Sequence, residues 1–144
     1  MQAMDLGDPG LRYRLRRALR QIGDQHRLLH ELRERVAAAL AAGEDGELRD
    51  AFVRYRHALG AHFELEDAVF FPALHGLHPE EQDDLEALSR EHDGLLGGLR
   101  HLAELLEVPG GEALAAALAA FQDELARHER REEGLVSRLA EGGR

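Results

Sequence analysis

Residues able to bind a metal interrupt the second helical segment of this chain, at positions where a helix normally buries apolar side chains. The stretch AHFELEDAVFFPAL, residues 61–74, contains His62 and Glu66, four residues apart. In steps of three and four residues, the expected buried stripe is Leu48, Phe52, Tyr55, Leu59, His62, Glu66, Val69 and Ala73. Residues four apart share one face of a helix, so an imidazole and a carboxylate occupy adjacent core positions.

The same interruption recurs along the chain at a constant offset. Each of the four apolar stripes contains a histidine, and two of them also contain a glutamate four residues later. Three pairs of these residues are separated by 66 positions: His26 and His92, His62 and His128, Glu66 and Glu132. The chain therefore reads as two helical hairpins built on one plan. Packed about a pseudo-two-fold axis, the hairpins would bring all six groups into one layer of the core.

Six buried polar groups facing one another favour a metal site. Burying an ionised carboxylate costs several kcal/mol, and an unpaired imidazole is also costly. Two ionised carboxylates cannot satisfy each other, whereas cations satisfy carboxylates and imidazoles together. His30 lies one turn after His26 and is a further candidate ligand. The predicted metal ligands are therefore His26, His30, His62, Glu66, His92, His128 and Glu132.

The ligand types narrow the choice of metal. A ferritin-like di-iron site uses Glu-x-x-His, and no histidine here has a glutamate three residues before it. The segments HELRE and HERRE lack the second histidine of an HExxH zinc site. Mixed imidazole and carboxylate ligands suit iron, manganese or zinc. The symmetry of the predicted site, with carboxylates able to bridge, favours a pair of metals.

Composition excludes several other classes of function. The chain has 144 residues, a net charge of −10 and no cysteine. The acidic balance argues against a nucleic-acid partner, and the absence of cysteine excludes disulfides and iron–sulfur clusters. No apolar run is long enough to span a membrane, and the start MQAMDLGDPG has no signal-peptide pattern. We expect a single cytoplasmic domain over residues 1–144, with its core at about 15–140.

The expected fold is all-α. Ala, Leu, Glu and Arg dominate, and three loop signals divide the chain: AAGEDGE, HGLHPEE and EVPGGE. They leave helices over about 10–42, 46–75, 79–107 and 111–141. Short connections imply antiparallel neighbours, hence an up-down four-helix bundle with an internal two-fold hairpin repeat. The first helix has the expected buried stripe Leu15, Leu19, Ile22, His26, Leu29, Arg33, Val36 and Leu40.

The segments QHRLLHEL, HFELEDAVFFPAL, EHDGLL and HERREEGL resemble those of hemerythrin-like (HHE cation-binding) proteins. The resemblance covers roughly residues 15–140. It implies a non-haem di-iron centre in a four-helix bundle, with an oxo or hydroxo group between the irons. By position, His26 and His62 would bind one iron, and His92 and His128 the other. Glu66 and Glu132 would bridge the two.

The chain departs from the oxygen carriers of that family on the third helix. The carriers have a second histidine one turn after the first, where this chain has Leu96. The offset of 66 relates Leu96 to His30, so the extra imidazole stands at the pseudo-symmetric position. Without His30 as a ligand, each octahedral iron would keep one open position. With His30 as a ligand, only the iron held by His92 and His128 would keep an open coordination position.

Three functions remain open from the sequence. The protein could bind O2 or NO as a sensor or carrier, or consume peroxide, O2 or NO as an enzyme. It could also store or donate iron, although one small bundle offers only one centre. The expected partner is a small molecule, O2, NO or peroxide, with no nucleic acid and no membrane. The sequence predicts neither turnover nor the oligomeric state.

Overall fold

A computed structural model of the protein describes residues 9–108 and 111–142. Within these ranges there are helices and short connections and no β-strand: α1 (Pro9–Ala42), α2 (Asp45–Leu65), a π-helical turn (Glu66–Phe70), α3 (Phe71–Leu77), a 3-10 turn (Pro79–Glu81), α4 (Gln82–Leu106) and α5 (Glu112–Gly142). The π-helical turn joins α2 to α3 without a break, so these three form one helix of the bundle. The structure thus confirms the predicted all-α four-helix bundle.

The two hairpins of the repeat are visible in the packing. α1 packs along α2, α4 packs along α5, and α2 also contacts α4. The first hairpin turns at Gly43, whose φ of 70° is accessible to glycine at little cost. The amide of Gly43 donates to the carbonyl of Leu40, and the amide of Glu44 donates to that of Ala39. This Schellman arrangement ends α1 and reverses the chain into α2.

The π-helical turn changes which residues of the second helix are buried. The amide of Phe71 donates to the carbonyl of Glu66, five residues earlier. Pro72 has no amide hydrogen, and in an α-helix its ring would press on the carbonyl of Ala68. The wider turn holds one extra residue, so Phe70 is buried and Val69 is only partly buried. The predicted stripe is therefore wrong at Val69 and correct again at Ala73.

The apolar core consists of two clusters. The first lies toward the α1–α2 turn and draws on α1, α2, α4 and α5, with Phe52, Leu59 and Leu99 among its members. The second lies toward the other end of the bundle and includes Ile22 and Phe71. Each cluster takes side chains from both hairpins, so burial in each holds the hairpins together.

The outer surface carries only scattered large apolar residues. Five described side chains of this kind are exposed: Tyr13, Leu19, Leu28, Val53 and Val108. Leu19 is 42% exposed, contrary to the predicted stripe, because Ala18 is the residue that packs in the second cluster. Among the described helices, none is long and apolar enough to cross a membrane.

Candidate metal centre

A polar layer crosses the bundle core at the level of the predicted ligands. His62, Glu66, His92, His128 and Glu132 are all buried, each with at most 7% of its surface exposed. His26 is partly buried, but its Nε2 atom is fully enclosed. The helices thus bring six of the seven predicted ligands to the same region.

The ligand atoms of this layer lie close together. Glu66 directs Oε2 toward His62 Nε2 at 3.4 Å and Oε1 toward His92 Nε2 at 2.9 Å. His128 Nε2 lies 3.7 Å from Glu132 Oε1. One ligand atom from each of Glu66, His92 and His128 falls in a group whose members are all within 4.8 Å of one another. These distances suit a shared cation after small side-chain adjustments.

Several of these atoms have no hydrogen-bond partner within the described part of the chain. They are His26 Nε2, His92 Nε2, His128 Nε2 and both carboxylate oxygens of Glu66. His92 Nε2 and Glu66 Oε1 are close but not aligned as donor and acceptor. Buried polar atoms are rarely left unpaired, because each costs about 1–3 kcal/mol. The layer therefore fits a bound cation, which would satisfy all these atoms at once.

Comparison with known protein families also indicates a cation-binding domain. The family model of the hemerythrin HHE cation binding domain matches residues 17–140. The chain belongs to this family. The match includes every residue of the polar layer, and cation binding by hemerythrin HHE domains agrees with the unpaired ligand atoms. No curated protein and no solved structure matched the chain.

A second set of residues orients the histidines of this hemerythrin HHE domain. His62 Nδ1 lies 2.8 Å from Gln25 Oε1, and His128 Nδ1 lies 2.7 Å from Glu91 Oε1. Because these oxygens accept hydrogen bonds, each Nδ1 donates its proton. The neutral imidazole then keeps a lone pair on Nε2, directed into the layer.

His92 is held in the same way. Its Nδ1 donates to Asp67 Oδ1 at 3.0 Å, and Ser89 donates a second hydrogen bond to the same oxygen at 2.6 Å. At His26 the corresponding charge is Glu133, which opposes the lowering of the His26 pKa by burial. Three of the four histidines thus have an acceptor at Nδ1, and His26 has the negative charge of Glu133 nearby.

The sequence analysis missed these outer residues, although the repeat contains a signal for them. The offset of 66 relates Gln25 to Glu91 and Asp67 to Glu133. Each is a sequence neighbour of one predicted ligand but serves a histidine on another helix. One residue is about 100° around a helix, so these side chains leave the core stripe and reach the adjacent helix. Only the packing of the helices shows which histidine each one meets.

Burial favours the neutral forms of the groups in this layer, which suits metal binding by the histidines but opposes it at the carboxyl groups. Burial, followed by the neighbouring histidines, lowers the pKa of His62 to about 3, so its imidazole is neutral. Burial raises the pKa of Glu66 to about 7. Burial and the nearby Glu66 raise the pKa of Glu132 to about 9. Without a cation, Glu132 is therefore protonated at neutral pH and Glu66 is about half protonated, so metal binding must displace these protons.

Two phenylalanines of the second helix enclose His92. The ring of Phe63 stacks on the imidazole, with centroids 4.1 Å apart and planes inclined by 14°. Phe71 lies on it at 5.8 Å and 13°. Phe63 is 2% exposed, one position away from the predicted stripe, and was not identified from the sequence. This half of the layer is closed by apolar rings.

His30 is not brought into the layer. It is exposed, and its Nδ1 lies 3.1 Å from Nη2 of Arg33, which donates to it. It lies instead at the edge of a cavity that His26 also lines. Among the histidines outside the stripes, His57, His75 and His101 are exposed, whereas His78 is partly buried.

Tyr55 is buried on the stripe of α2, as predicted, and lines the same cavity. Its hydroxyl has no hydrogen-bond partner within the described residues. Burial, with the charge of Glu129, raises the pKa of Tyr55 to about 12. The phenol is therefore a protonated donor at neutral pH.

Proposed function

We propose that this hemerythrin HHE domain holds two iron ions in its polar layer and that O2, NO or peroxide binds and reacts there. The proposed ligands are His26, His62, Glu66, His92, His128 and Glu132. Manganese or zinc are the alternatives for the same ligand types. Bound iron would supply redox chemistry with which small oxygen and nitrogen molecules could be bound or reduced.

Glu66 carries the argument for two metals. Its two oxygens face histidines from different halves of the repeat, His62 and His92. A carboxylate that presents one oxygen to each half suits a bridge between two ions. Glu132 occupies the equivalent position in the repeat and lies beside His128. The outer residues hold the histidines as neutral ligands, and the two apolar clusters limit water access from the ends of the bundle.

Metal analysis tests the first half of this proposal. We expect about two iron ions per chain, with the near-ultraviolet charge-transfer bands of an oxygen-bridged pair. Glu66→Ala should lose the pair, whereas His57→Ala, an exposed histidine, should change neither iron content nor spectrum. One zinc ion per chain, with no iron uptake under anaerobic loading, would contradict the di-iron proposal.

Ligand reactions test the second half. The iron-loaded protein is mixed with peroxide and, separately, with NO. Consumption of many equivalents per chain would support reactive chemistry. Stoichiometric, reversible binding would indicate a carrier or sensor instead. A centre that responds to none of O2, NO or peroxide would overturn the proposal while leaving metal binding intact.

A further inference from the structure

A cavity of about 250 Å³ lies beside His26, between α1, α2 and α5. Its lining residues are His26, Leu29, His30, Arg33, Tyr55, Leu125, Glu129 and Glu133. His30 and Glu133 are exposed, and His26 belongs to the polar layer. The cavity therefore extends from the surface to one side of the candidate metal centre.

The internal repeat shows that this cavity is specific to one half of the bundle. Four polar lining residues have apolar counterparts at the offset of 66: His30 and Leu96, Arg33 and Leu99, Tyr55 and Phe121, Glu129 and Phe63. Three of the counterparts are buried in the first apolar cluster, and Leu96 packs against it. Phe63 covers His92, at the place where Glu129 leaves space beside His26. Equivalent positions are thus filled by apolar side chains beside His92, whereas beside His26 they carry polar side chains that line a cavity.

One buried group in the cavity has unused hydrogen-bonding capacity in the metal-loaded protein. The hydroxyl of Tyr55 is unpartnered within the described residues, although the side chain is only 2% exposed. The charges of Arg33 and Glu129 both act on the phenol of Tyr55, so donors and acceptors converge in the cavity. A site with buried polar groups favours a ligand that pairs with them and disfavours one that cannot.

We propose that this cavity binds a small hydrogen-bonding ligand of the peroxide class, and that the ligand reaches the centre only at the position beside His26. Hydrogen peroxide both donates and accepts hydrogen bonds and is small enough for this volume. O2 and NO are weak hydrogen-bond partners and would leave Tyr55 unpaired. This inference rests on the proposed function and selects among its ligands.

The test uses Tyr55→Phe, which installs the residue that the repeat has at Phe121. In the iron-loaded protein, azide binding is titrated by absorption, NO binding is titrated on the reduced centre, and peroxide consumption is resolved into kcat and KM. Loss of one hydrogen bond should weaken azide binding and raise the peroxide KM by about tenfold. NO affinity should change by less than about twofold. Leu96→Ala, at the position of the other half that corresponds to His30, is the control and should leave all three values unchanged.

A second variant, Glu129→Phe, installs the residue found at Phe63 and should fill the cavity. We expect it to retain iron and to slow azide and peroxide binding together. Wild-type azide affinity and peroxide KM in both variants would overturn the proposed site. An equal loss of NO and azide affinity in Tyr55→Phe would overturn the selectivity but not the proposed function. A wild-type centre that binds none of the three probes would overturn the proposed function itself.

Discussion

Individual side chains make the two halves of the polar layer chemically different. Glu91, which accepts from His128, is itself held by Arg131 Nη2 at 2.7 Å. Its counterpart Gln25 is a neutral amide. A carboxylate on the outer nitrogen makes a histidine a stronger metal ligand than an amide does. The site held by His128 should therefore bind a metal more tightly than the site held by His62.

This difference predicts the effect of Glu91→Gln. Replacing the carboxylate by an amide should weaken the first metal-binding step by about 10–100-fold, since outer residues typically have effects of that size. Titration of the metal-free protein with Co2+, followed by visible absorption, measures both steps. The reciprocal change Gln25→Glu should strengthen the second step. Unchanged affinities in both variants would show that the outer charge has no role in binding.

His30→Leu tests whether this histidine is a ligand, as its position in the sequence suggested. The structure places the imidazole at the cavity edge with Arg33. We therefore expect iron content and the iron spectrum to match those of the wild type. A loss of iron, or a shift of the charge-transfer bands, would instead show that the side chain turns inward when metal binds.

Among the helical elements, the π-helical turn allows the second helix of the bundle to contain Pro72 without a clash. The sequence pattern alone does not reveal it, because the positions 62, 66, 69 and 73 fit an uninterrupted α-helix equally well. The signal was Pro72, whose ring is incompatible with the preceding α-helical turn. With the extra residue, Glu66 stays in the polar layer while Phe70 enters the second cluster.

Deletion of Ala68, an exposed residue of this turn, tests that explanation. The shortened helix should keep Phe70 in the core but force Pro72 against the preceding carbonyl, at a cost of about 3 kcal/mol. Adding Pro72→Ala should restore most of the loss in chemical denaturation. Deleting exposed Arg56 from α2 is the control, and it should unfold the protein by rotating all later residues off the core. Failure of Pro72→Ala to restore stability would contradict the proline explanation.

For the whole molecule, the sequence predicted what depends on periodicity and repetition. The four helices, the hairpin repeat and the burial of five of the predicted ligands followed from regular spacing and from the offset of 66. The cavity beside His26 did not, because it arises where side chains from three helices leave space. The hydrogen-bond partners of the histidines could not be predicted either. They depend on how neighbouring helices are rotated relative to each other, and the apolar stripe of one helix does not contain that information.

The stability of the whole metal-free protein should depend on pH because of the buried carboxylates. Folding raises the pKa of Glu132 from 4.5 to about 9. Between pH 7 and 9 the folded state therefore holds a proton that the unfolded state has lost. The free energy of unfolding should fall by about 1.4 kcal/mol per pH unit as pH rises through this range. The lowered pKa of His62 has no effect there, because it costs stability only below its ordinary value of 6.5.

Urea denaturation of the metal-free protein at pH 7, 8 and 9 measures this slope. Glu132→Gln should remove most of it, since the amide does not titrate. Bound metal should also flatten this slope, because the carboxylates are then ionised throughout the range from pH 7 to 9, and should raise the melting temperature by mass action. A flat profile in the metal-free wild type would mean that the carboxylates are ionised and solvated in solution.

The position of the polar layer between two apolar clusters has a consequence for cooperativity. The polar layer separates the two apolar clusters along the bundle axis. Each cluster contains side chains from both hairpins, so neither hairpin has a core of its own. Without metal, the polar layer between the clusters has unpaired buried atoms, so we expect each end of the bundle to open separately. Amide hydrogen exchange should then show two groups of opening energies, one for each end. Bound metal would link all four helices within the polar layer. The two groups of amides should then share one opening energy, because the bundle opens as a single unit.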